Sequence, residues 1–307
     1  MKSLSRINFN NIKTVGIRVD FNIPVDEHFK ITDNTRLLRA RDTINFVKNQ
    51  NCKILLLSHF GRPKENYDEK FSFQTLIDQF SEVLDVNLNL LTYETFLKNG
   101  ISDFINLNHQ ITLLENIRFF KGEIDNELTF SKLITDQLDL YINEAFSASH
   151  RSHSSVNRMP KNITSVPGFN FEKEVLAIKE IKNSTKKKLA IIGGSKVSTK
   201  INTLLSLTKS CANIFISGAM ANNFLKFKGI PVGSSLLEEG SEKMINQIYA
   251  SAQEKECEIH LPLDVVLDNE NTSTIDKLSS QDNFKILDLS DESLKLLTSL
   301  IHKSELI

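Results

Sequence analysis

Short, nearly continuous apolar runs alternate along this chain with segments whose apolar residues recur at helical spacing. Continuous apolar character is typical of strands in a parallel sheet that helices cover on both faces. The β–α alternation therefore predicts an α/β fold of doubly wound, Rossmann-like parallel sheets. The predicted strands are VGIRVDF (15–21), KILLLSH (53–59), ITLLEN (111–116), DLYINEAF (139–146), LAIIGG (189–194), NIFISG (213–218) and IHLPLDVVL (259–267).

Two segments of the first half predict amphipathic helices, because each carries a single apolar stripe. The segment TDNTRLLRARDTINFVKN can begin at a cap provided by Thr32 or Asp33. The segment SFQTLIDQFSEVL begins with another possible cap, Ser72. The stripes consist of Leu37, Ala40, Ile44 and Val47 in the first segment and of Phe73, Leu76, Ile77, Phe80, Val83 and Leu84 in the second.

A chain of 307 residues suggests about two domains, and one region interrupts the β–α pattern. This region, RMPKNITSVPGFN (158–170), contains two prolines and a glycine, which break regular elements. The helical pattern FEKEVLAIKEIKN (171–183) follows it, and a second α/β unit begins at Leu189. We expect a first domain over 1–165, a hinge with an interdomain helix over 166–185 and a second domain over 186–307.

The composition argues against several classes of protein. A net charge of −1 argues against a general nucleic-acid binder, because phosphate backbones attract basic surfaces. We find no signal peptide, and no window approaches the roughly 20 apolar residues of a membrane span. Cys52, Cys211 and Cys257 are far apart and lack metal-ligand spacing, so we expect reduced thiols in a cytoplasmic protein.

The stretch LLLSHFGRPK (55–64) ends a predicted strand with a dense group of cationic and chain-turning residues. A surface turn needs Gly61 and Pro63, but it does not need His59 and Arg62 as well. In open parallel sheets, ligands bind beyond the carboxyl ends of the strands. The residues that follow the other predicted strands are therefore informative.

Polar and cationic residues recur at these strand ends. If the strands are parallel, the residues converge on one rim, where arginine forks suit a phosphate or a carboxylate. Taken singly, each arginine is better interpreted as a solvated or salt-bridged residue, His59 as a structural histidine, and Asp20 as a cap or turn residue at least as readily. The repeated placement instead favours an anion site formed by Asp20, Asn22, Arg36, His59, Arg62, Arg118, His150 and Arg151.

The second half opens with AIIGGSKVSTK (190–200), an apolar strand followed by two glycines and a predicted helix start. Such a turn can present N–H groups and a positive dipole end to a phosphate. Lys196 and Lys200 are four residues apart and would share one helix face. The segment lacks the P-loop pattern, and a glycine turn with two surface lysines stays an open alternative. A second turn, ISGAMANNF (216–224), could contact a nucleotide base or ribose, or serve close packing alone.

Together these segments resemble the phosphoglycerate kinase family in order and in spacing, from the N-terminus to about Ile307. Two departures are mild, because Glu144 keeps the carboxylate of the usual Asp and Ser217 stands where a Gly is common. The motifs are RVDFNIPV (18–25), ITDNTRLLRA (31–40), LLLSHFGRPK (55–64), LLENIRF (113–119), NEAFSASHRSHSS (143–155), IIGGSKVSTK (191–200) and GAMANNFL (218–225).

The resemblance implies reversible phosphoryl transfer from 1,3-bisphosphoglycerate to ADP, which gives 3-phosphoglycerate and ATP with Mg²⁺ as the accompanying cation. It also implies a monomer whose two domains close across a cleft to exclude water. The implied triose-acid ligands are Asp20, Asn22, Arg36, His59, Arg62, Arg118 and Arg151. The implied nucleotide-binding residues are Gly193, Gly194, Lys196, Lys200, Gly218 and Ala219, and the implied catalytic residues are Arg36, Lys196 and Lys200.

The end of the sequence departs from the family pattern. It reads LLTSLIHKSELI, where the family begins a further strand, and the later family motifs W-N-G-P and G-G-G-D-T do not occur. We therefore expect an incomplete second domain with an open apolar sheet edge and no assignable metal ligand. Two hypotheses follow: a shortened phosphoglycerate kinase of low activity, which we favour, or a module that binds phosphoglycerate without turnover.

Overall fold

The computed structural model describes residues 3–64, 66–106, 108–280 and 283–307. The chain divides into two compact units, Met1–Lys179 and Glu180–Ile307. Among the described residues, no helix combines the length and the apolar composition needed to cross a membrane. Cys52, Cys211 and Cys257 are free thiols, as the sequence predicted.

The first unit is built on a parallel sheet. Its strands are β1 (Thr14–Arg18), β2 (Lys53–Leu57), β3 (Leu88–Leu91), β4 (Ile111–Leu114), β5 (Leu140–Asn143) and β6 (Ser165–Pro167). In the described part of the chain they lie in the order β3-β4-β2-β1-β5-β6, and every pair is parallel. Strands β2, β3 and β4 lie on one side of β1, whereas β5 and β6 lie on the other. The strand order therefore reverses between β1 and β5, and a crevice is expected beyond the carboxyl ends of these two strands. The sequence had not predicted the short edge strands β3 and β6.

Helices connect these strands. They are α1 (Thr35–Lys48), α2 (Ile77–Leu84), α3 (Tyr93–Asn99), α4 (Ser102–Asn106), α5 (Lys121–Ile124), α6 (Leu128–Thr135), α7 (Ser154–Asn157), α8 (Met159–Asn162) and α9 (Phe169–Asn183). Helix α1 begins near the predicted cap, because Asp33 Oδ1 accepts a hydrogen bond of 2.8 Å from the Thr35 amide. Helix α2 begins later than predicted, because the Ser72 hydroxyl donates to Glu115 Oε2 at 2.7 Å and holds a turn there.

The sheet of the first unit is covered on both faces, and β2 shows this most clearly. Ile54 and Leu56 belong to one buried cluster, whereas Leu55 and Leu57 belong to another. Successive side chains of a strand point to opposite faces, so a strand buried on both faces must be apolar throughout. This packing explains the continuous apolar runs and confirms the doubly wound architecture.

The second unit contains both a parallel and an antiparallel sheet in its described part. The parallel sheet has the order β7 (Leu189–Ile192), β8 (Asn213–Ile216), β9 (Glu258–His260), and the antiparallel sheet has β10 (Asp264–Leu267) between β11 (Thr272–Thr274) and β12 (Ile286–Leu289). The single strand predicted over 259–267 is therefore wrong. Pro262 separates β9 from β10, because proline lacks the N–H that a central strand would donate. The helices are α10 (Ile201–Thr208), α11 (Ala219–Phe227), α12 (Glu242–Glu254) and α13 (Asp291–Lys303).

Strand β7 lies at one end of its sheet in the described part of the chain. Leu306 forms an isolated parallel bridge with Lys188, and the Leu189 amide donates to the Leu306 carbonyl at 2.9 Å. Further along the strand, Ile191 is 39% exposed. The last residues of the chain thus pair with the start of β7, and an apolar residue of this edge strand lies open beyond them.

Candidate functional site

The loops that follow β1 and β5 meet at Asp20. Its Oδ2 accepts hydrogen bonds from the Arg36 guanidinium at 2.8 Å and from the Ser147 hydroxyl. Arg36 lies in the first turn of α1 and its side chain is 45% exposed, so its remaining N–H groups are open to a further acceptor. Asp20, Arg36 and Ser147 also line a cavity of about 130 Å³. The crevice predicted at the reversal of strand order therefore carries two of the predicted site residues.

Two predicted site residues hold the turn that follows β2. Asn22 Oδ1 accepts from the Gly61 amide at 2.8 Å, and Arg118 donates to the Gly61 carbonyl at 2.6 Å. Gly61 has φ +61°, and a Cβ atom there would lie 2.3 Å from the Phe71 ring. The turn thus requires glycine. The side chains of Asn22 and Arg118 fix the amide and the carbonyl of Gly61. Arg62, the next residue, is exposed.

A buried hydrogen-bond chain lies behind this turn. Arg18, at the end of β1, is 2% exposed, and it donates to His59 Nδ1 at 3.0 Å and to the Ser155 hydroxyl at 2.9 Å. Ser155 in turn donates to the fully buried Glu123 carboxylate, from its hydroxyl at 2.6 Å and from its amide at 2.8 Å. The chain joins residues that follow β2, β4 and β5 to the last residue of β1.

The contact with Arg18 fixes the tautomer of His59. A guanidinium can only donate, so Nδ1 must be the acceptor and the proton of the neutral ring must be on Nε2. Burial, followed by the charge of Arg18, moves the pKa of His59 far below its usual value. His59 is therefore a neutral hydrogen-bond donor rather than the cationic donor that the sequence suggested.

Positive charge is concentrated around Arg118, which is only 8% exposed. Burial lowers the pKa of Arg118 to about 10. The charges of Arg151, Arg18 and Arg62 act in the same direction, and the charge of Glu123 opposes them. Burial and then the charges of Arg118 and Arg151 lower the pKa of His153 to about 4. The net pKa shift of both groups remains downward despite the nearby Glu123 carboxylate, and a bound anion would relieve it.

The predicted residues of the first unit thus fall into two groups. Arg36, Arg62 and Arg151 are exposed, whereas Asn22, His59 and Arg118 form the frame behind them. Sequence reasoning did not select Arg18, Glu123, His153 and Ser155. A charged residue inside the apolar run VGIRV was the one available signal for Arg18. His150 is exposed, and its Nδ1 lies 2.9 Å from the Ser147 carbonyl.

In the second unit, the two predicted glycine turns contact each other through their main chains. The Met220 amide donates to the Gly194 carbonyl at 2.6 Å. Gly218 has φ +62°, and a Cβ atom on it would lie 3.3 Å from the nitrogen and the oxygen of Gly194. The turns after β7 and β8 therefore form one compact structure, with Gly193 exposed and Ala219 at the start of α11.

The prediction that Lys196 and Lys200 share a helix face is wrong. Helix α10 begins only at Ile201, and residues 195–200 form a turn with Lys200 at the N-cap position. The amides of Val197 and Ser198 donate to the Glu238 carboxylate at 2.6 and 3.0 Å, which holds the chain in this turn. Lys196 is exposed, and the Lys200 side chain passes over Gly194.

A small cavity lies beside the second glycine turn. It is lined by Gly218, Ala219 and Asn222 on one side and by apolar residues such as Leu225 and Val265 on the other. The Asn222 amide nitrogen donates to the Leu236 carbonyl at 3.3 Å, whereas its buried Oδ1 has no hydrogen-bond partner in the described part of the chain. The cavity thus has an apolar wall, and one residue that lines it carries an unused acceptor.

Comparison with known proteins places this fold and these motifs in one family. A family model for phosphoglycerate kinase matches residues 4–307. A phosphoglycerate kinase of Prochlorococcus marinus (strain MIT 9312) is 38% identical over 99% of this chain and 78% of its own length. One from Wolbachia pipientis wMel is 34% identical over 95% of this chain and 74% of its own length. The solved phosphoglycerate kinase structure from Coxiella burnetii superimposes with a TM-score of 0.83 at 30% identity, covering 99% of this chain and 78% of that one. The chain therefore belongs to the phosphoglycerate kinase family.

Proposed function

We propose that this chain transfers a phosphoryl group reversibly between 1,3-bisphosphoglycerate and ADP, giving 3-phosphoglycerate and ATP. The observation that carries the proposal is the group of arginines around the Gly61 turn, which lie in the segments that resemble the family motifs. Such a group suits a small acid that bears both a phosphate and a carboxylate.

In this proposal the first unit binds the triose acid. The exposed guanidinium groups of Arg36, Arg62 and Arg151 contact its phosphate and carboxylate, and Arg118 supports them from behind. His59 donates from Nε2, and its contribution needs no protonation because the ring is neutral over the physiological range. Asp20 and Asn22 orient Arg36 and the Gly61 turn through the hydrogen bonds described above.

The second unit binds the nucleotide in this proposal. Gly193, Gly194, Gly218 and Ala219 let the main chain approach it closely, and Lys196 and Lys200 supply positive charge. The described residues contain no group of three or more His, Cys, Asp or Glu side chains that could hold a metal ion. We therefore assign no protein ligand to Mg²⁺ and expect the cation to be bound by the phosphates of ATP or ADP.

The chemistry needs no strong general base. The acceptor in the direction of ATP consumption is a carboxylate, which is already ionised at neutral pH. Catalysis then consists of positioning the two substrates and neutralising the charge on the phosphoryl group during transfer. Arg36, Lys196 and Lys200 are the residues to which we assign that neutralisation.

Replacement of Arg36 by alanine tests the triose-acid site. We expect 3-phosphoglycerate to bind about 10- to 100-fold more weakly, because a hydrogen bond to a charged group contributes about 1.5–3 kcal/mol. Isothermal titration calorimetry of the whole chain measures this directly. Arg41→Ala is the matched control, since Arg41 lies on the same helix but pairs with Asp85 at 3.5 Å. Equal affinity of Arg36→Ala and the unaltered chain would reject the assignment.

A turnover assay separates the kinase from a binding module. ATP formation from 1,3-bisphosphoglycerate and ADP, lost in Arg36→Ala and retained in Arg41→Ala, would support the kinase. Tight 3-phosphoglycerate binding with no ATP formation would favour a non-catalytic phosphoglycerate-binding module instead.

A further inference from the structure

The segment between α11 and α12 contributes a carboxylate to the turn that bears both lysines of the candidate nucleotide site. Glu238 Oε2 accepts from the Val197 amide at 2.6 Å and from the Ser198 amide at 3.0 Å. The Ser198 hydroxyl donates to Oε1 of the same carboxylate. One side chain therefore satisfies three donors of a turn that has no regular secondary structure.

The main chain of Glu238 is fixed as well as its carboxylate. Its amide donates to Asn223 Oδ1 at 2.8 Å, and Asn223 is a buried residue of α11. The Asn223 side-chain nitrogen lies 3.4 Å from the carbonyls of Ala219 and Met220, in the first turn of that helix. The Met220 amide in turn donates to the Gly194 carbonyl. A closed circuit of hydrogen bonds thus joins both glycine turns through Glu238.

We propose that Glu238 is a positioning residue, which fixes the turn 195–200 against the Gly218 turn and so sets the placement of Lys196 and Lys200. The proposal rests on the proposed function, because it assigns these lysines to the phosphates of ADP or ATP. Glu238 itself does not contact the nucleotide in this proposal.

The charge of Glu238 also restricts where a phosphate can bind. Amides that precede a helix attract anions, and α10 begins only three residues after Ser198. The carboxylate occupies the amides of Val197 and Ser198 and would repel a phosphate from them. Hydrogen bonding by Ser198 holds the pKa of Glu238 below its usual value, so the group is ionised at neutral pH. A phosphate group of the nucleotide would therefore bind to the two lysines and the glycine turns rather than to the amides of Val197 and Ser198.

Glu238→Ala tests the positioning role without nucleotide. We expect hydrogen exchange at the amides of Val197 and Ser198 to become at least tenfold faster in this variant. We also expect altered amine reactivity at Lys196 and Lys200, measured by reductive methylation and mass spectrometry. The amides of the buried strand β8, elsewhere in the second unit, should keep their slow exchange, which a general loss of structure would not allow. The matched control is Glu239→Ala, since Glu239 is exposed and adjacent.

Calorimetry with ADP tests the functional consequence in the whole chain. We expect about tenfold weaker ADP binding in Glu238→Ala, a smaller loss in Glu238→Gln, which keeps one carbonyl acceptor, and no change in Glu239→Ala or in 3-phosphoglycerate affinity. Unchanged exchange and lysine reactivity in Glu238→Ala, or unchanged ADP affinity, would overturn the positioning role. A failure of the unaltered chain to bind ADP would instead overturn the proposed function, while exchange and reactivity would still decide whether Glu238 fixes the turn.

Discussion

Each unit contains a glutamate that accepts main-chain hydrogen bonds next to candidate site residues, but burial gives the two carboxylates opposite character. Glu144 in the first unit accepts from the Thr43 hydroxyl at 2.9 Å and from the Asn170 amide at 3.0 Å, and it is 4% exposed. Burial raises its pKa to about 6. Glu238 in the second unit is partly exposed, and the hydrogen bond from Ser198 lowers its pKa. Hydrogen bonds lower the pKa of both carboxylates, and burial outweighs them only at Glu144.

The two candidate sites differ in the same way. In the first unit, buried side chains such as Arg18, His59 and Glu123 are linked to one another and form a rigid frame behind exposed arginines. In the second unit, the main chain of two glycine turns forms the frame, and the lysines project from it with little burial. Buried charges contribute rigidity but are costly to leave without partners, so the first site should be the less tolerant of substitution.

The largest effect is expected for Arg18→Met in the first unit. This change leaves Glu123 and Ser155 without the guanidinium and removes the donor to His59 Nδ1. Removing one member of a buried charged network costs about 3–5 kcal/mol, so the free energy of unfolding should fall by that amount in urea denaturation.

Arg39→Met is the control for Arg18→Met. The Arg39 side chain is 60% exposed and lies 4.0 Å from Glu174, and such a surface pair contributes at most about 1 kcal/mol. Similar losses in the two variants would contradict the distinction between a buried frame and a solvated surface in the first unit.

A smaller effect is expected from the ionisation of Glu144. Its pKa rises from 4.5 to about 6 on folding, so the folded chain binds this proton more tightly than the unfolded chain does. Stability therefore falls as the pH rises from about 4.5 to 6, by about 2 kcal/mol from this group. In Glu144→Gln that contribution disappears, because the side chain does not ionise.

Urea denaturation of both proteins at pH 4 and pH 7 measures the contribution of Glu144. The difference in unfolding free energy between the two pH values should change by about 2 kcal/mol on substitution. Hydrogen bonds from Asn170, Phe171 and Thr43 and the charge of Lys173 oppose the effect of burial on the pKa of Glu144. Identical pH dependence of the two proteins would show that the carboxylate is not destabilised by burial.

The smallest effect is expected in the second unit, for Gly218→Ala compared with Gly229→Ala. Both glycines have positive φ, +62° and +79°, so alanine is strained in both variants, and Gly218 (φ +62°, ψ −166°) lies in a region that essentially only glycine adopts, at a cost of about 1–3 kcal/mol. A Cβ atom on Gly218 would additionally press on Gly194 at 3.3 Å, whereas one on Gly229 would meet nothing within 4 Å. We expect Gly218→Ala to be less stable by a further ~1 kcal/mol in thermal or urea denaturation. Equal losses in the two variants would contradict both the contact between the turns and the special main-chain conformation of Gly218.

The sequence predicted the fold class and most of the strands because both depend on local apolar pattern. Most of the residues that it proposed for the first site do follow strand ends, and the carboxyl ends of parallel strands share one edge of a sheet. One error, the single strand predicted over 259–267, ignored a local proline, whereas two others lie where a distant residue decides local geometry. Ser72 bonds to Glu115 instead of capping a helix, and Glu238 holds residues 196–200 in a turn that the i, i+4 spacing had suggested was helical.

By itself, the amino-acid sequence determined the β–α order, the glycine turns, the cationic strand ends and the family. Each of these depends on patterns of residues that are close together in the sequence. The tertiary structure alone decided which side chains are buried, and with that the neutral state of His59, the raised pKa of Glu144 and the roles of Arg18 and Glu238. The reason is that hydrogen bonds and desolvation act between residues that are close in space, and these partners lie 26 to 137 positions apart in the chain.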